Sequence, residues 1–278
     1  GLAAKYRGDA GIEADPAVVF VENFEVDEIE DFRARWSHIN NKAGKALAVT
    51  RETPQGSRGT RSLRMTATRG ENEGGHLYRL FQPGHQRLFL RFYVRFAEDN
   101  GYNHHFVSLG GEIDPAPYPI GRAGRRAVNR WNSGIEPAGT WSQTSPRTHF
   151  PPPGIWQFYT YWPDMRSFQN EDGSGTVFYG NEFTPEKPVP AERGRWIAVE
   201  VMVKMNSSPE ASDGEQAFWI DGRLAWVCPP TPAARRPRRA RRRTRRRSRW
   251  HRPTPGGRRS TAGAGARAPT AARRFPAA

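Results

Sequence analysis

The clearest pattern in the chain runs over residues 87–96. There Leu88, Leu90, Phe92, Val94 and Phe96 alternate with Arg87, Phe89, Arg91, Tyr93 and Arg95. Period-two alternation turns one set toward a core and the other toward solvent, so this segment predicts a half-buried β-strand with an arginine-bearing outer face. The same signal, bounded by Gly, Pro, Asn and Asp, predicts strands over 17–25, 62–68, 102–109, 156–162, 196–206 and 215–227. The last is broken at Asp221-Gly222, a dipeptide favoured in two-residue hairpin turns. The only helical piece expected is short, around residues 26–35, and no internal repeat is found. Strands at this spacing, with long Pro/Gly-rich connections over 110–124 and 140–154, predict an all-β fold. The expectation is a two-sheet antiparallel jelly roll over residues 17–228, preceded by an extension of residues 1–16.

Parity within each strand selects the side chains left for chemistry. In 196–206 the core set is Ile197, Val199, Val201, Val203 and Met205, and Glu200, Lys204 and Asn206 lie opposite with Trp196. In 156–162 the apolar set is Trp156, Phe158 and Trp162, which turns Gln157, Tyr159 and Tyr161 the other way. In 102–109 the parity of Val107 and Leu109 leaves His104, Phe106 and Ser108 outside, while His105 shares the core parity. If these strands form one sheet, its open face carries Arg91, Tyr93, Arg95, His104, Gln157, Tyr159, Tyr161, Glu200 and Lys204. Any wet sheet face carries such residues singly. Their density on neighbouring strands is what predicts a groove able to stack on sugar rings and pair carboxylates with guanidinium forks.

Charge changes this picture only at one end. The chain of 278 residues has a formal net charge of +15, with 43 Lys+Arg against 28 Asp+Glu. Residues 229–278 hold 17 of those arginines, no lysine and no acid, which leaves 26 bases against 28 acids before them and a body near −2. Composition of this kind offers almost no apolar area to offset ordering entropy and repels itself, so disorder is expected. Two readings compete for the segment: nonspecific, salt-dependent nucleic-acid binding by its arginine runs, or an out-of-frame terminus whose abrupt Arg/Ala/Pro/Gly bias says nothing about function. The chain begins at Gly1 without an apolar leader, so export is not read directly. The single Cys228 excludes a disulfide framework or a thiolate metal cluster. No apolar run approaches the roughly 18 residues a spanning helix needs, so no membrane role is expected.

Several chemistries are weakened by what the chain lacks. Gly111-Glu112-Ile113-Asp114 begins the Glu-x-Asp-x-x-Glu pattern of retaining jelly-roll glycosidases, but Pro117 stands where the last Glu is needed and Pro115 lies between. A turn is the expected assignment there. Gly-x-Ser-x-Gly, His-Glu-x-x-His and phosphate-loop motifs are missing. His104-His105 has no further His or carboxylate at ligand spacing in its own strand, so no metal is assigned. Asp172-Gly173-Ser174-Gly175 and Asp213-Gly214-Glu215 could hold a structural calcium ion, although turn chemistry explains both. No other cofactor is called for.

The order of motifs resembles a known family. It runs through Asn103-His104-His105-Phe106-Val107-Ser108-Leu109-Gly110-Gly111, Pro153-Gly154-Ile155-Trp156-Gln157-Phe158-Tyr159-Thr160-Tyr161-Trp162 and Tyr179-Gly180-Asn181. It continues with Gly194-Arg195-Trp196, Glu200 and Lys204, and ends in Asp213-Gly214-Glu215-Gln216-Ala217-Phe218-Trp219-Ile220-Asp221-Gly222. This layout resembles concanavalin A-like polysaccharide lyases of the family-fourteen alginate and glucuronan lyase type over residues 17–228. The resemblance implies β-elimination of a uronate-containing polysaccharide; extracellular or periplasmic residence is expected from that substrate class, and a monomer is expected. On this reading Arg91 and Arg95, assisted by Gln157, neutralise the uronate carboxylate, and Tyr93 and Glu200 join them in binding. The base is His104 or Lys204, and the acid is Tyr159 or Tyr161. The family would also continue with a strand after the Asp221-Gly222 hairpin, where the arginine segment stands. Two other functions remain open at this stage: a noncatalytic carbohydrate-binding module, and a jelly-roll glycoside hydrolase using Glu112 and Asp114 or Glu200.

Overall fold

The computed structural model describes residues 2–139, 150–208 and 211–228. The strands are β1 (His38–Asn40), β2 (Leu47–Thr50), β3 (Ser62–Met65), β4 (His76–Tyr78), β5 (Arg87–Arg95), β6 (Val107–Glu112) and β7 (Arg130–Ala138), followed by β8 (Ile155–Tyr161), β9 (Phe168–Gln169), β10 (Thr176–Val177), β11 (Asn181–Phe183), β12 (Trp196–Lys204), β13 (Glu215–Ile220) and β14 (Arg223–Cys228). Helical structure among the described residues is confined to short 3₁₀ turns, including Ile29–Ala34, close to the helical piece expected over 26–35.

Two antiparallel four-stranded sheets dominate, in the orders β11-β8-β7-β6 and β14-β13-β12-β5. Their apolar parities meet in one core. Leu90, Phe92 and Val94 of β5, Ile197, Val199 and Val201 of β12 and Phe218 and Ile220 of β13 pack against Val107, Leu109, Ile135, Trp156 and Phe158 of the other sheet. The layers interlock through aromatic pairs, Phe158 with Phe218 at 5.4 Å and Phe96 with Trp156 at 5.8 Å between centroids. Burying each such side chain favours folding by about 1.5–3 kcal/mol. The hairpin expected at Asp221-Gly222 closes β13 on β14, with both residues at positive φ (50° and 75°), as a type I′ turn demands.

Three strand expectations need correction. Residues 17–25 form no strand. Phe20 and Phe24 instead pack edge-on against Trp36 and Phe32, and Phe24 joins a satellite core around Phe32, Ile39 and Leu47. The segment expected over 102–109 becomes a strand only at Val107 and runs on to Glu112, so His104 and His105 lie in the loop before it. Finally β7, which parity reading passed over, is a central strand. Gly134 and Pro137 obscure it in the sequence, yet Pro137 lies beyond the end of β6, whose ladder with β7 stops at Val107 opposite Ile135, so the missing N–H breaks no β6 bond. The turn carboxylates cap turns: Asp172 accepts from the Ser174 amide and Asp213 from the Ser207 amide. Residues 140–149 of the 140–154 connection fall outside the described residues, as does the position of the further strand expected beyond the β13–β14 hairpin.

Candidate functional site

Because β5 and β12 belong to one sheet and β8 to the other, with their apolar faces meeting between them, the polar faces point to opposite sides of the sandwich. The nine-residue groove expected from parity is therefore divided, and the premise that these strands share a sheet is overturned. Arg91, Tyr93, Arg95, Glu200 and Lys204 lie on the outer face of the β5–β12 sheet. There Arg91 opposes Glu200, and Arg87 opposes Lys204, across the ladder.

That far face is already committed to internal partners. Arg91 pairs with Glu200, and its Nε donates to Asp9 Oδ2 at 2.9 Å. Tyr93 donates to the same carboxylate oxygen at 2.7 Å. Arg95 pairs with Glu52 at 3.1 Å. Lys204 Nζ donates to Glu215 at 2.8 Å and to the Asp213 carbonyl at 2.9 Å. Asp9 lies in the 3₁₀ turn Arg7–Asp9 and sits at φ 59°, a strained setting for a residue whose carboxylate is held on two donors.

The other half of the groove survives and gains members on the outer face of β6-β7-β8-β11. Register places Glu136 opposite Gln157, Gly134 opposite Tyr159 and Asn132 opposite Tyr161, with Glu182 of β11 opposite Tyr159 on its other side. Strand parity therefore puts Arg130, Asn132, Glu136, Gln157, Tyr159, Tyr161 and Glu182 on one face. His104 reaches this face from the loop and bonds through Nδ1 to Glu136 Oε1 at 3.2 Å. Its ring stands edge-on to Tyr159, 4.9 Å between centroids. His105 shared the core parity in the sequence, but its left-handed backbone (φ 58°) turns it to the same side, and its ring lies 3.6 Å from that of His104.

Glu136 organises the cluster. It is 2% exposed and accepts from the His105 amide at 2.7 Å, while its other oxygen meets His104 and Gln157 Nε2 at 3.4 Å. Gln157 is itself buried and accepts from Thr184. Its amide is therefore held against Glu136 inside the protein, at the position where the sequence reading expects a contact to the substrate carboxylate. Partial desolvation of the His105 ring, exposed though the residue is, holds its imidazole below the ordinary value, and neighbouring His104 adds to the effect.

Tyr159 and Tyr161 form an edge-to-face pair, 5.6 Å between centroids, in a small cluster with Ala127 and Met165. Burial, then the hydrogen bond to Tyr161, push the Tyr159 phenol well above its usual range, although the Gly180 amide donates to it. The ring lies directly on Gly180, where a Cβ would collide with it. Beyond Tyr161, the Arg130 guanidinium sits 5.3 Å from the ring centroid. Burial, then the nearby Arg122, hold Arg130 below the ordinary arginine value. Arg122 itself pairs with Glu112 at 2.5 Å. Arg130 and Glu136 were missed because β7 was missed. The alternation of Arg130, Asn132, Gly134 and Glu136 with Trp131, Ser133, Ile135 and Pro137 was the available signal.

Fold and site together define a β-sandwich with a cluster of imidazole, phenol, carboxylate and guanidinium groups on one face of the β6-β7-β8-β11 sheet. No family model matches the chain, and no curated protein matches it. Among solved structures it is similar to the alginate lyase vAL-1 from Chlorella virus, with 17% identity, coverage of 75% of this chain and 81% of that chain, and a TM-score of 0.46. It is also similar to the PL-14 alginate lyase from Aplysia kurodai, with 13% identity, coverage of 73% and 78%, and a TM-score of 0.46. The functional argument rests on this chain's own side chains.

Proposed function

We propose that the protein is a polysaccharide lyase that cleaves a uronate-containing polysaccharide by β-elimination on the outer face of the β6-β7-β8-β11 sheet. The observation that carries this reading is the His104–Glu136 dyad set edge-on against the buried Tyr159–Tyr161 pair. Elimination needs a base for the C5 proton, an acid for the departing O4 and a cation for the C6 carboxylate, where enolate charge develops. His104, bonded through Nδ1 to Glu136, is the base, and Glu136 stabilises the imidazolium that forms. Tyr159 holds its proton through neutral pH and releases it only to a more basic group, the O4 alkoxide. The C5–H bond and the C4–O4 bond break, a C4=C5 double bond forms, and proton exchange with solvent returns both the imidazolium and the phenolate to their starting states. Arg130 takes the neutralising role first assigned to Arg91 and Arg95, because it alone of the three lies on the same face as the tyrosines. Lys204 leaves the pair of base candidates for the same reason.

Hydrolysis is less well supported. Glu112 and Glu200 belong to different sheets facing opposite ways, whereas glycosidase carboxylates act about 5–10 Å apart. The deciding experiment incubates the protein with a panel of polyuronates and follows the ultraviolet absorbance of an unsaturated uronate, with mass analysis of the products. Tyr159→Phe should lower the rate by roughly 10²–10⁴-fold, with binding retained. Full activity in that variant rejects the assignment, binding without product in the parent chain identifies a carbohydrate-binding module, and saturated products identify a hydrolase. Residence in an extracellular or periplasmic space accompanies this proposal as a consequence of a polymeric substrate.

A further inference from the structure

We propose that His104, His105 and Glu136 form a binding site for a borderline divalent cation of the zinc class. One ligand atom from each residue lies within 4.8 Å of those of the other two. His104 Nδ1 and Glu136 Oε1 are 3.2 Å apart. Two donors at about 2.0–2.1 Å from one tetrahedral ion stand roughly 3.3 Å from each other, so this edge of the triangle is already at chelating separation.

The third donor is present because of the backbone. Neighbouring residues of an extended chain point to opposite sides, but the left-handed setting of His105 brings both imidazoles together, 3.6 Å between centroids. Histidine is among the non-glycine residues that tolerate this region. Glu136 supplies a buried carboxylate whose orientation is set before any ion arrives, through the His105 amide at 2.7 Å and Gln157. Such outer partners tune ligand affinity. His105 is exposed, which leaves an entry path and lets its ring swing onto the ion. Two imidazoles and one carboxylate suit zinc and its neighbours better than calcium or magnesium, which prefer oxygen alone. Three protein donors leave a fourth position for water.

An ion held there occupies the His104 nitrogen that faces Glu136. If the elimination reading is also right, binding displaces the proton of the dyad and the lyase is inhibited. The site does not depend on that reading, and its test measures binding. The full chain, stripped with chelator and exchanged into a non-coordinating buffer, is titrated with Zn²⁺ by calorimetry, and with Co²⁺ by visible absorption. The expected result is one saturable site, weakened at least about tenfold by His105→Ala and by Glu136→Gln, with the Co²⁺ spectrum altered in both. Thermal unfolding of each variant without metal confirms that it is folded. A rival pair exists, since His38 Nδ1 and His76 Nε2 are 3.0 Å apart. The proposal is overturned if no saturable binding occurs, if His105→Ala binds as tightly as the parent, or if only a His38→Ala/His76→Ala variant loses the site.

Discussion

Tyr159 is held in place by a glycine. Gly180 leaves room for the phenol ring that covers it and donates its amide to the hydroxyl, so Gly180→Ala should displace the ring without disturbing the core between the sheets. The expected outcome is a loss of turnover comparable with Tyr159→Phe while the unfolding midpoint shifts by a few degrees or less, as kinetics and thermal unfolding of one preparation would show. The two arginine faces make opposite predictions. Arg130→Ala should cost at least about tenfold in kcat/KM, because the carboxylate loses its cation where charge develops. Arg91→Ala should leave kcat/KM unchanged and lower stability by about 1–3 kcal/mol in denaturant melts, because Asp9 and Glu200 lose their shared partner. Equal activity loss in both would put the groove back on the wrong sheet. At this scale the sequence was half legible: it named His104, Tyr159 and Tyr161, which the structure brings together although His104 arrives from a loop, and it did not show that Gln157 is buried against Glu136.

The short pairing of β1 with β4 carries a titratable contact. His76, opposite Asn40, lies against His38, and burial, then His38, then Lys42 hold its imidazole below the ordinary value of 6.5. The unfolded chain therefore binds this proton more readily than the folded one, and stability falls as the pH drops from 6.5 through the lowered folded-state value. The denaturant midpoint should decrease over that interval, and His76→Gln should flatten the decrease. Elements were legible in proportion to their alternation. β5, β8 and β12 were read nearly to their ends, because long runs of large apolar residues at one parity leave no other arrangement. β7 was not, because its outward positions include Gly134 and it ends near Pro137, and its strand character comes from being paired on both sides by β6 and β8. Residues 17–25 show the converse, with apolar residues spent on a satellite core around Phe32 in place of a ladder.

For the whole molecule, charge is divided more sharply than fold. Residues 229–278 lie outside the described residues, yet their removal would take the net charge from +15 to −2. If their arginine runs bind nucleic acid, the shortened chain should lose retention on single-stranded RNA. The parent's affinity should fall with salt by about 0.7 in log–log slope per phosphate contacted, and the lyase assay should be unaffected by the deletion. The sequence by itself determined the all-β class, the hairpin at Asp221-Gly222 and the set of side chains that leaves each strand together, because side-chain direction alternates rigidly along an extended backbone. Only the tertiary structure decided which strands are neighbours. Both layers of a sandwich carry the same alternating pattern, so periodicity cannot distinguish Arg91 from Arg130 as the partner of Tyr159 and Tyr161. That choice is made by how the apolar faces pack, and by one left-handed residue, His105, that places a second imidazole where alternation would have hidden it.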